Sequence, residues 1–237
     1  MSGKLYALST GPGAADLITV RAARILGGLD ILYAPAGRKG GDSLALSIVR
    51  EYLSAHTEVR CCHFPMSADS AEKEVVWDDV SRALVSEVEG GKQVGFITLG
   101  DAMLFSTWVF LLQRIGSPEW LEIIPGVTSF AAIAARAQMP LAMEQQSLAV
   151  VACTAPESEI AHALAQHDSL VLMKVYGRFP RIKALLAQAG LLDKALLMAE
   201  ATLPGEQCWR NLAEVSDDQP LPYFSTILVN KQWGQGQ

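Results

Sequence analysis

The sequence predicts an α/β protein of two α/β domains, residues 1–117 and 118–237, the first on a mainly parallel sheet and the second on a mixed one. Three observations lead there. Short apolar runs of strand length alternate with longer segments whose apolar residues recur at helical spacing. Gly and Pro stand at the ends of those runs, where they punctuate rather than form a tract. A chain of 237 residues suits one large domain or two of roughly 110–130 residues. Gly116–Glu119, with Pro118 unable to continue a helix, is the candidate linker.

The elements follow in order. Leu5–Leu8 is a first strand ending at Thr10–Gly11–Pro12–Gly13. A helix with Ile18, Ala22, Ile25 and Leu26 on one face closes at Gly27–Gly28. Leu29–Tyr33 is a second strand, stopped by Pro35. Asp42 or Ser43 can cap a helix striped by Ala45, Ile48, Val49, Tyr52 and Leu53. Glu58–Phe64 is a third strand, and an acidic amphipathic helix over Ala71–Glu89 turns Trp77, Val80, Leu84 and Val88 inward. Val94–Leu99 is a fourth strand broken at Gly100–Asp101, followed by a helix over Leu104–Ile115. This β-α-β-α order implies a parallel, doubly wound sheet. The second half restarts with strand Leu121–Ile124, the turn Pro125–Gly126 and a small-residue helix from Thr128. Ser147–Ala152, Leu170–Lys174, Lys194–Ala199 and Phe224–Asn230 are its further strands, spaced too closely for a helical crossover at every step.

Composition narrows the function classes. Hydrophobic residues make up 50% and charged residues 19%, enough to build a core and too apolar for disorder. No run approaches the roughly 18–20 apolar residues of a membrane span, and the first residues lack a signal-peptide pattern; we expect a soluble cytoplasmic protein. A net charge of −6 argues against nucleic acid as a partner. Adjacent Cys61 and Cys62 point to opposite faces of a strand, and with Cys153 and Cys208 they are expected to be reduced thiols, with no metal site. None of His56, His63, His162 or His167 stands in a triad context.

Three glycine-bearing segments can carry chemistry. Gly11–Pro12–Gly13 joins a strand to a helix, where backbone N–H groups can meet a ligand. It is not a dinucleotide fingerprint, since residue 16 is Asp and the acid expected at the end of the second strand is missing. Asp101, after the most hydrophobic strand of the first half, can take hydrogen bonds from a ligand, act as a base, or cap the next helix. Thr128 or Ser129 can cap a helix and still face a ligand. Taken singly, each segment is explained equally well as a turn or cap. Lys174, Arg178, Arg181 and Lys183 fall in a stretch without an acid, which is either a solvated helix face or a landing site for a polyanion.

In combination, GPG followed by LITVRA, then LGDAMLFST, then IPGVTSF, resemble the tetrapyrrole (corrin and porphyrin) methyltransferase family. Leu170–Lys174 and AEATLPGE (Ala199–Glu206) look like its two C-terminal cofactor segments, so the resemblance spans essentially the whole chain. GDSLALSIV, HFPM, PGVTSFAAIAAR and VLMKVYGR bring it nearest to the branch that methylates C20 of precorrin-2 or cobalt-factor II in cobalamin synthesis. The resemblance implies a homodimer of two-domain subunits with S-adenosylmethionine in the cleft between the domains. It assigns Pro12, Leu99, Gly100, Asp101, Leu104, Thr128, Ser129, Lys174 and Ala201 to the cofactor. Asp101 is the candidate base for the proton that leaves the meso carbon, and Arg38, Lys39, Lys174, Arg178 and Arg181 are candidates for the substrate carboxylates. Ala14, Ala102 and Phe105 depart from the family's usual Asp, Pro and Tyr, which leaves only backbone roles there. Competing readings are a sister enzyme acting on another corrin position or on uroporphyrinogen, a nucleotide-binding oxidoreductase, and a non-catalytic tetrapyrrole carrier.

Overall fold

The computed structural model describes residues 3–37, 43–65 and 70–233. The chain divides into two units, Met1–Thr128 and Ser129–Gln237.

In the first unit, β1 (Lys4–Ser9), β2 (Ile31–Ala36), β3 (Glu58–His63), β4 (Gln93–Thr98) and β5 (Leu121–Ile124) form one sheet in the order β3-β2-β4-β1-β5. Every neighbouring pair is parallel. Its inner strands β1, β2 and β4 are mostly buried, which is why they read as apolar runs. Side chains alternate between faces. Leu5, Ala7 and Phe96 pack with Val80, Leu84 and Val88 of α3 (Ser70–Glu89) and with Trp108 and Leu111 of α4 (Trp108–Ile115). Leu8 and Ile97 pack with Ala22 and Leu26 of α1 (Val20–Leu26) and Ala45 and Val49 of α2 (Leu44–Val49). Each large side chain so buried contributes about 1.5–3 kcal/mol. Thr19 caps α1 through the Ala22 N–H at 3.2 Å, and Ser43 caps α2 through the Leu46 N–H at 3.2 Å. Asp42, the other candidate cap, lies outside the described residues.

Three sequence expectations need correction here. Leu121–Ile124 does not open the second sheet; it pairs in parallel with Leu5–Leu8 of β1. The division therefore falls after Thr128 rather than at 117/118. Pro35 does not stop β2, because beyond Tyr33 that strand pairs with β3 alone and a proline without an N–H is tolerated there. The helix expected from Leu104 starts at Trp108; Phe105 takes φ 49°, a left-handed conformation that no helix accommodates.

The second unit has the sheet order β6-β7-β10-β8-β9. Its elements are α5 (Ser129–Ala137), β6 (Leu148–Ala152), α6 (Glu157–Gln166), β7 (Ser169–Met173), α7 (Phe179–Gln188), β8 (Ala195–Ala199), β9 (Gln207–Trp209) and β10 (Ser225–Asn230). β6 and β7 are parallel, whereas β10 runs antiparallel to both β7 and β8, and β9 antiparallel to β8. The sheet is mixed, as expected. Leu170, Leu172, Leu197 and Ile227 meet Ile160 and Leu164 of α6 and Ile182 and Leu186 of α7. Val171, Met198 and Leu228 meet Ile133 and Ala137 of α5 on the other face. Among the described residues no helix is long and apolar enough to cross a membrane.

Candidate functional site

Adjacent, parallel β4, β1 and β5 end on the same edge of the first sheet, so the three glycine-bearing loops stand side by side. This is where an open parallel sheet places its ligand sites. The first two loops are joined by a reciprocal backbone pair: the Gly11 N–H donates to the Gly100 carbonyl at 3.2 Å, and the Gly100 N–H to the Gly11 carbonyl at 2.7 Å. Fully buried Ser9 adds a third bond, its Oγ accepting from the Ala102 N–H at 2.8 Å.

Asp101 binds the second loop to the third. Its Oδ2 accepts from the Gly126 N–H at 2.8 Å, and its Oδ1 from the Met103 N–H at 2.9 Å. A carboxylate offers about four acceptor positions, so these two bonds leave capacity for a ligand donor. Gly126 is glycine because the loops touch: a Cβ there would stand 2.4 Å from the Ser9 Cβ and 2.7 Å from the Gly100 oxygen. Gly100 is the opposite case. It takes φ 71°, and nothing lies within 4 Å of where its Cβ would be. The loops are locked against one another yet leave open space at Gly100.

Of the residues assigned to the cofactor, Pro12, Leu99, Gly100, Asp101 and Leu104 fall in these first two loops. Pro12 is buried; Leu99, Asp101 and Leu104 are partly exposed. Thr128 ends the first unit, and Ser129 is the first residue of α5. In the second unit β7 and β8 are parallel to one another, each being antiparallel to β10, so the loops carrying Lys174 and Ala201 leave the same sheet edge. Both loops are left-handed at residues other than glycine: Lys174 has φ 61°, Glu200 φ 51° and Thr202 φ 67°. Such conformations persist where surrounding structure holds them, and they cluster at ligand sites.

What holds the Ala201 loop is Glu206. Its Oε2 accepts from the Thr202 N–H at 2.7 Å, while the carboxylate takes a forked pair from the Arg136 guanidinium of α5, the shortest contact being 2.7 Å. The Arg136 hydrogen bonds, helped by the Thr202 N–H, hold the Glu206 carboxyl below the usual carboxylate range. A carboxyl lowered in the folded state stabilises fully above its ordinary range and loses that contribution as pH falls through its folded value. Glu206→Gln should therefore lower Tm at pH 7 by about 2 °C and flatten the acid limb of the stability–pH curve, read by thermal scans from pH 3 to 7. An unchanged acid limb would remove the clamp.

The basic stretch divides. Arg181 pairs with Glu157, and Lys183 with Asp217 at 2.9 Å and the Val215 carbonyl at 2.6 Å. Both meet acids distant in sequence, and the Arg181–Glu157 pair is exposed. The Arg178 guanidinium donates a long bond to the Tyr176 carbonyl at 3.5 Å and has no ion pair among the described residues. Arg38 and Lys39 lie outside the described residues. The four cysteines are free, and burial pushes Cys62 up to about 11 and Cys153 up to about 12, which keeps both as neutral thiols. Ser9, Arg136 and Glu206 were not predicted as functional residues. Arg136 and Glu206 each end one of the family-like motifs, but their 70-residue separation leaves no local signal for their pairing, and Ser9 stands just before the first turn.

The family model described as tetrapyrrole (corrin/porphyrin) methylases matches residues 4–216. The cobalt-precorrin-2 C(20)-methyltransferase of Salmonella typhimurium strain LT2 is 84% identical over 233 residues, 98% of each chain. The precorrin-2 C(20)-methyltransferase of a Sinorhizobium species is 30% identical over 237 aligned residues, 96% of this chain and 95% of that one. Among solved structures, a cobalt precorrin-4 methyltransferase matches at TM-score 0.72 and 24% identity, over 96% of this chain and 94% of that one. A uroporphyrin-III C-methyltransferase from Thermus thermophilus, complexed with S-adenosylhomocysteine, matches at TM-score 0.66 and 21% identity, over 96% and 97%. These last two likenesses speak for the fold.

Proposed function

From its place in the tetrapyrrole (corrin/porphyrin) methylases, the family to which the chain belongs, we propose that it moves a methyl group from S-adenosylmethionine to the C20 meso carbon of cobalt-precorrin-2. The observation that carries this reading is the 84% identity over 98% of a chain named for that reaction. The three interlocked loops agree with it, because they form a rigid backbone cradle open at Gly100.

When bound, S-adenosylmethionine supplies an electrophilic methyl on a positively charged sulfur. The methyl would pass to the macrocycle's electron-rich meso carbon, S-adenosylhomocysteine would leave with the carbon–sulfur bonding pair, and the meso proton would pass to water or to Asp101. The macrocycle is its own nucleophile, so the residues have to orient and desolvate rather than attack. Well-oriented reactants recover about 7–11 kcal/mol of barrier. Pro12, Leu99, Gly100, Asp101, Leu104 and Thr128 would hold the cofactor in the first unit. Ser129, Lys174 and Ala201 are its contacts in the second by family resemblance. Asp101, already accepting two backbone bonds, acts chiefly by holding the loops, with any proton transfer secondary.

Arg178 and Arg181 are the guanidinium candidates for the substrate carboxylates, which such groups pair in a fixed, forked geometry. Arg178→Ala should raise the KM for the tetrapyrrole by about tenfold while leaving S-adenosylmethionine affinity within twofold. Unchanged tetrapyrrole KM would take Arg178 out of the site. A homodimer is part of the proposal, and a sedimentation mass of one chain would overturn that part. The activity itself is tested by incubation with S-adenosylmethionine and cobalt-loaded or metal-free sirohydrochlorin-type substrate. One methyl gained at C20 by NMR is expected; no gain with either substrate, or a methyl elsewhere, would overturn the reading.

A further inference from the structure

From Lys174 to Lys183 the sequence carries four basic side chains and no acid, so any counter-charge has to come from elsewhere in the fold. Lys183 finds Asp217. Arg178 and Arg181 come together instead at one narrow cavity, whose other walls include Cys153, Glu157, Ile160 and Ile182. Two guanidiniums face a single carboxylate there, that of Glu157, and Arg178 has no ion pair among the described residues. A cleft lined by an excess of one charge concentrates ligands of the other.

The cavity stands at an informative place. Cys153 directly follows β6, and its N–H donates at 2.8 Å to the carbonyl of Met173, the last residue of β7. Lys174 comes next. Strands β6, β7 and β8 run parallel to one another, so the cavity lies at the sheet edge that carries the Lys174 and Ala201 loops. Its back wall is the core under α6 and α7, where Cys153, Ile160 and Ile182 are buried. Burial pushes the Cys153 thiol up to about 12 against the pull of the Arg178 charge, so the thiol brings no negative charge of its own.

The one carboxylate present is held by half of its capacity. Arg181 turns both Nε and Nη2 toward the same Glu157 oxygen, Oε1, and Oε2 has no hydrogen bond among the described residues. A guanidinium fork meets a carboxylate best through two oxygens. The Arg181 and Glu157 side chains are also 64% and 51% exposed, and exposed pairs contribute little to stability. Glu157 is the first residue of α6, so its side chain can turn to solvent without disturbing the helix. An incoming carboxylate can therefore replace it at small cost and gain Arg178, which Glu157 does not engage.

We propose that Arg178 and Arg181 form a clamp for a carboxylate on the tetrapyrrole rim, and that Glu157 is its resident competitor, held there until a substrate carboxylate displaces it. The clamp rests on the methyl-transfer reading and deepens it by naming what selects the substrate. A rim carboxylate gains two guanidiniums, whereas an esterified or amidated rim cannot displace the resident pair. All three residues act on substrate choice and placement, not on bond making.

The test uses the full-length chain with Glu157→Gln, Arg181→Ala, the double variant and Glu159→Gln, an acid two residues further along α6 and outside the cavity lining. Tetrapyrrole KM, S-adenosylmethionine affinity by calorimetry and, without cofactor, sirohydrochlorin binding by quenching of tryptophan fluorescence are measured at one salt concentration. Glu157→Gln should lower tetrapyrrole KM by about two- to fivefold, while Glu159→Gln leaves it unchanged. Arg181→Ala should raise it by about tenfold, and in that background Glu157→Gln should change it by less than about twofold. Cofactor affinity should stay within about twofold of wild type throughout. A KM unchanged or raised in Glu157→Gln, or lowered equally by Glu159→Gln, overturns the competitor, and an unchanged KM in Arg181→Ala overturns the clamp; either result spares the methyl-transfer reading. No turnover by the wild type overturns that reading instead, and the order of sirohydrochlorin affinities among the same variants then decides the clamp.

Discussion

Gly126→Ala should abolish tight S-adenosylmethionine binding and lower Tm by on the order of 5 °C. The added methyl would stand 2.4 Å from the Ser9 Cβ and 2.7 Å from the Gly100 oxygen. Neither obstacle is the end of a flexible side chain, so the relief has to come from moving a loop. Moving the third loop stretches the Gly126 N–H away from Asp101, while moving the second strains its pairing with Gly11. Overpacking of this kind costs about 1–3 kcal/mol. Gly100→Ala separates stability from binding, because its methyl would meet nothing within 4 Å. Its cost is confined to the left-handed backbone, about 1–2 kcal/mol, but the methyl projects into the space proposed for the cofactor. Thermal melts and calorimetric titration with S-adenosylhomocysteine check both. Wild-type affinity in Gly126→Ala would show that loop contact is irrelevant to the site.

The contrast between these glycines was out of reach of the sequence, where both stand after apolar strands. What could be read was local. Strands buried on both faces announce themselves as apolar runs, so β1 and β4 were placed within a residue at each end. The three-residue β9, Gln207–Trp209, has no run to recognise. β5 looked like a new beginning because it follows Pro118, yet its partner is β1, more than a hundred residues earlier. Pairing of that range leaves no mark on either segment. The same holds for the site. Each glycine turn was visible as a turn, but the strand order that sets three turns on one edge, the Ser9 bond to Ala102 across 93 residues and the Asp101 bond to Gly126 across 25 are tertiary facts. The partners of the basic stretch are hidden from the sequence for a related reason. The stretch holds no acid of its own, but Glu157 and Asp217, 24 and 34 residues away, fold back onto Arg181 and Lys183.

Asp101→Asn decides between the two roles open to this carboxylate. An asparagine keeps one acceptor oxygen and turns an NH2 donor toward one of the two backbone N–H groups, Met103 or Gly126. Donor then faces donor, and one N–H of the loop pair loses its partner. A carboxylate that chiefly holds the loops predicts a rise of about tenfold or more in the KM for S-adenosylmethionine, with kcat at saturation reduced far less. A carboxylate that chiefly takes the meso proton predicts the reverse: unchanged cofactor KM and kcat lower by about 10²–10⁴-fold. Asp101→Ala sharpens the choice, since it strips the acceptor from both N–H groups and should weaken cofactor binding more than Asp101→Asn. Asp101→Glu retains the charge on a stem one methylene longer, which cannot serve both N–H groups in the present geometry. If loop holding dominates, the glutamate variant should fail at cofactor binding much as the amide does, and if proton transfer dominates it should recover part of kcat. The geometry favours the first outcome, because both oxygens already serve the backbone of loops whose mutual contact leaves no slack at Gly126.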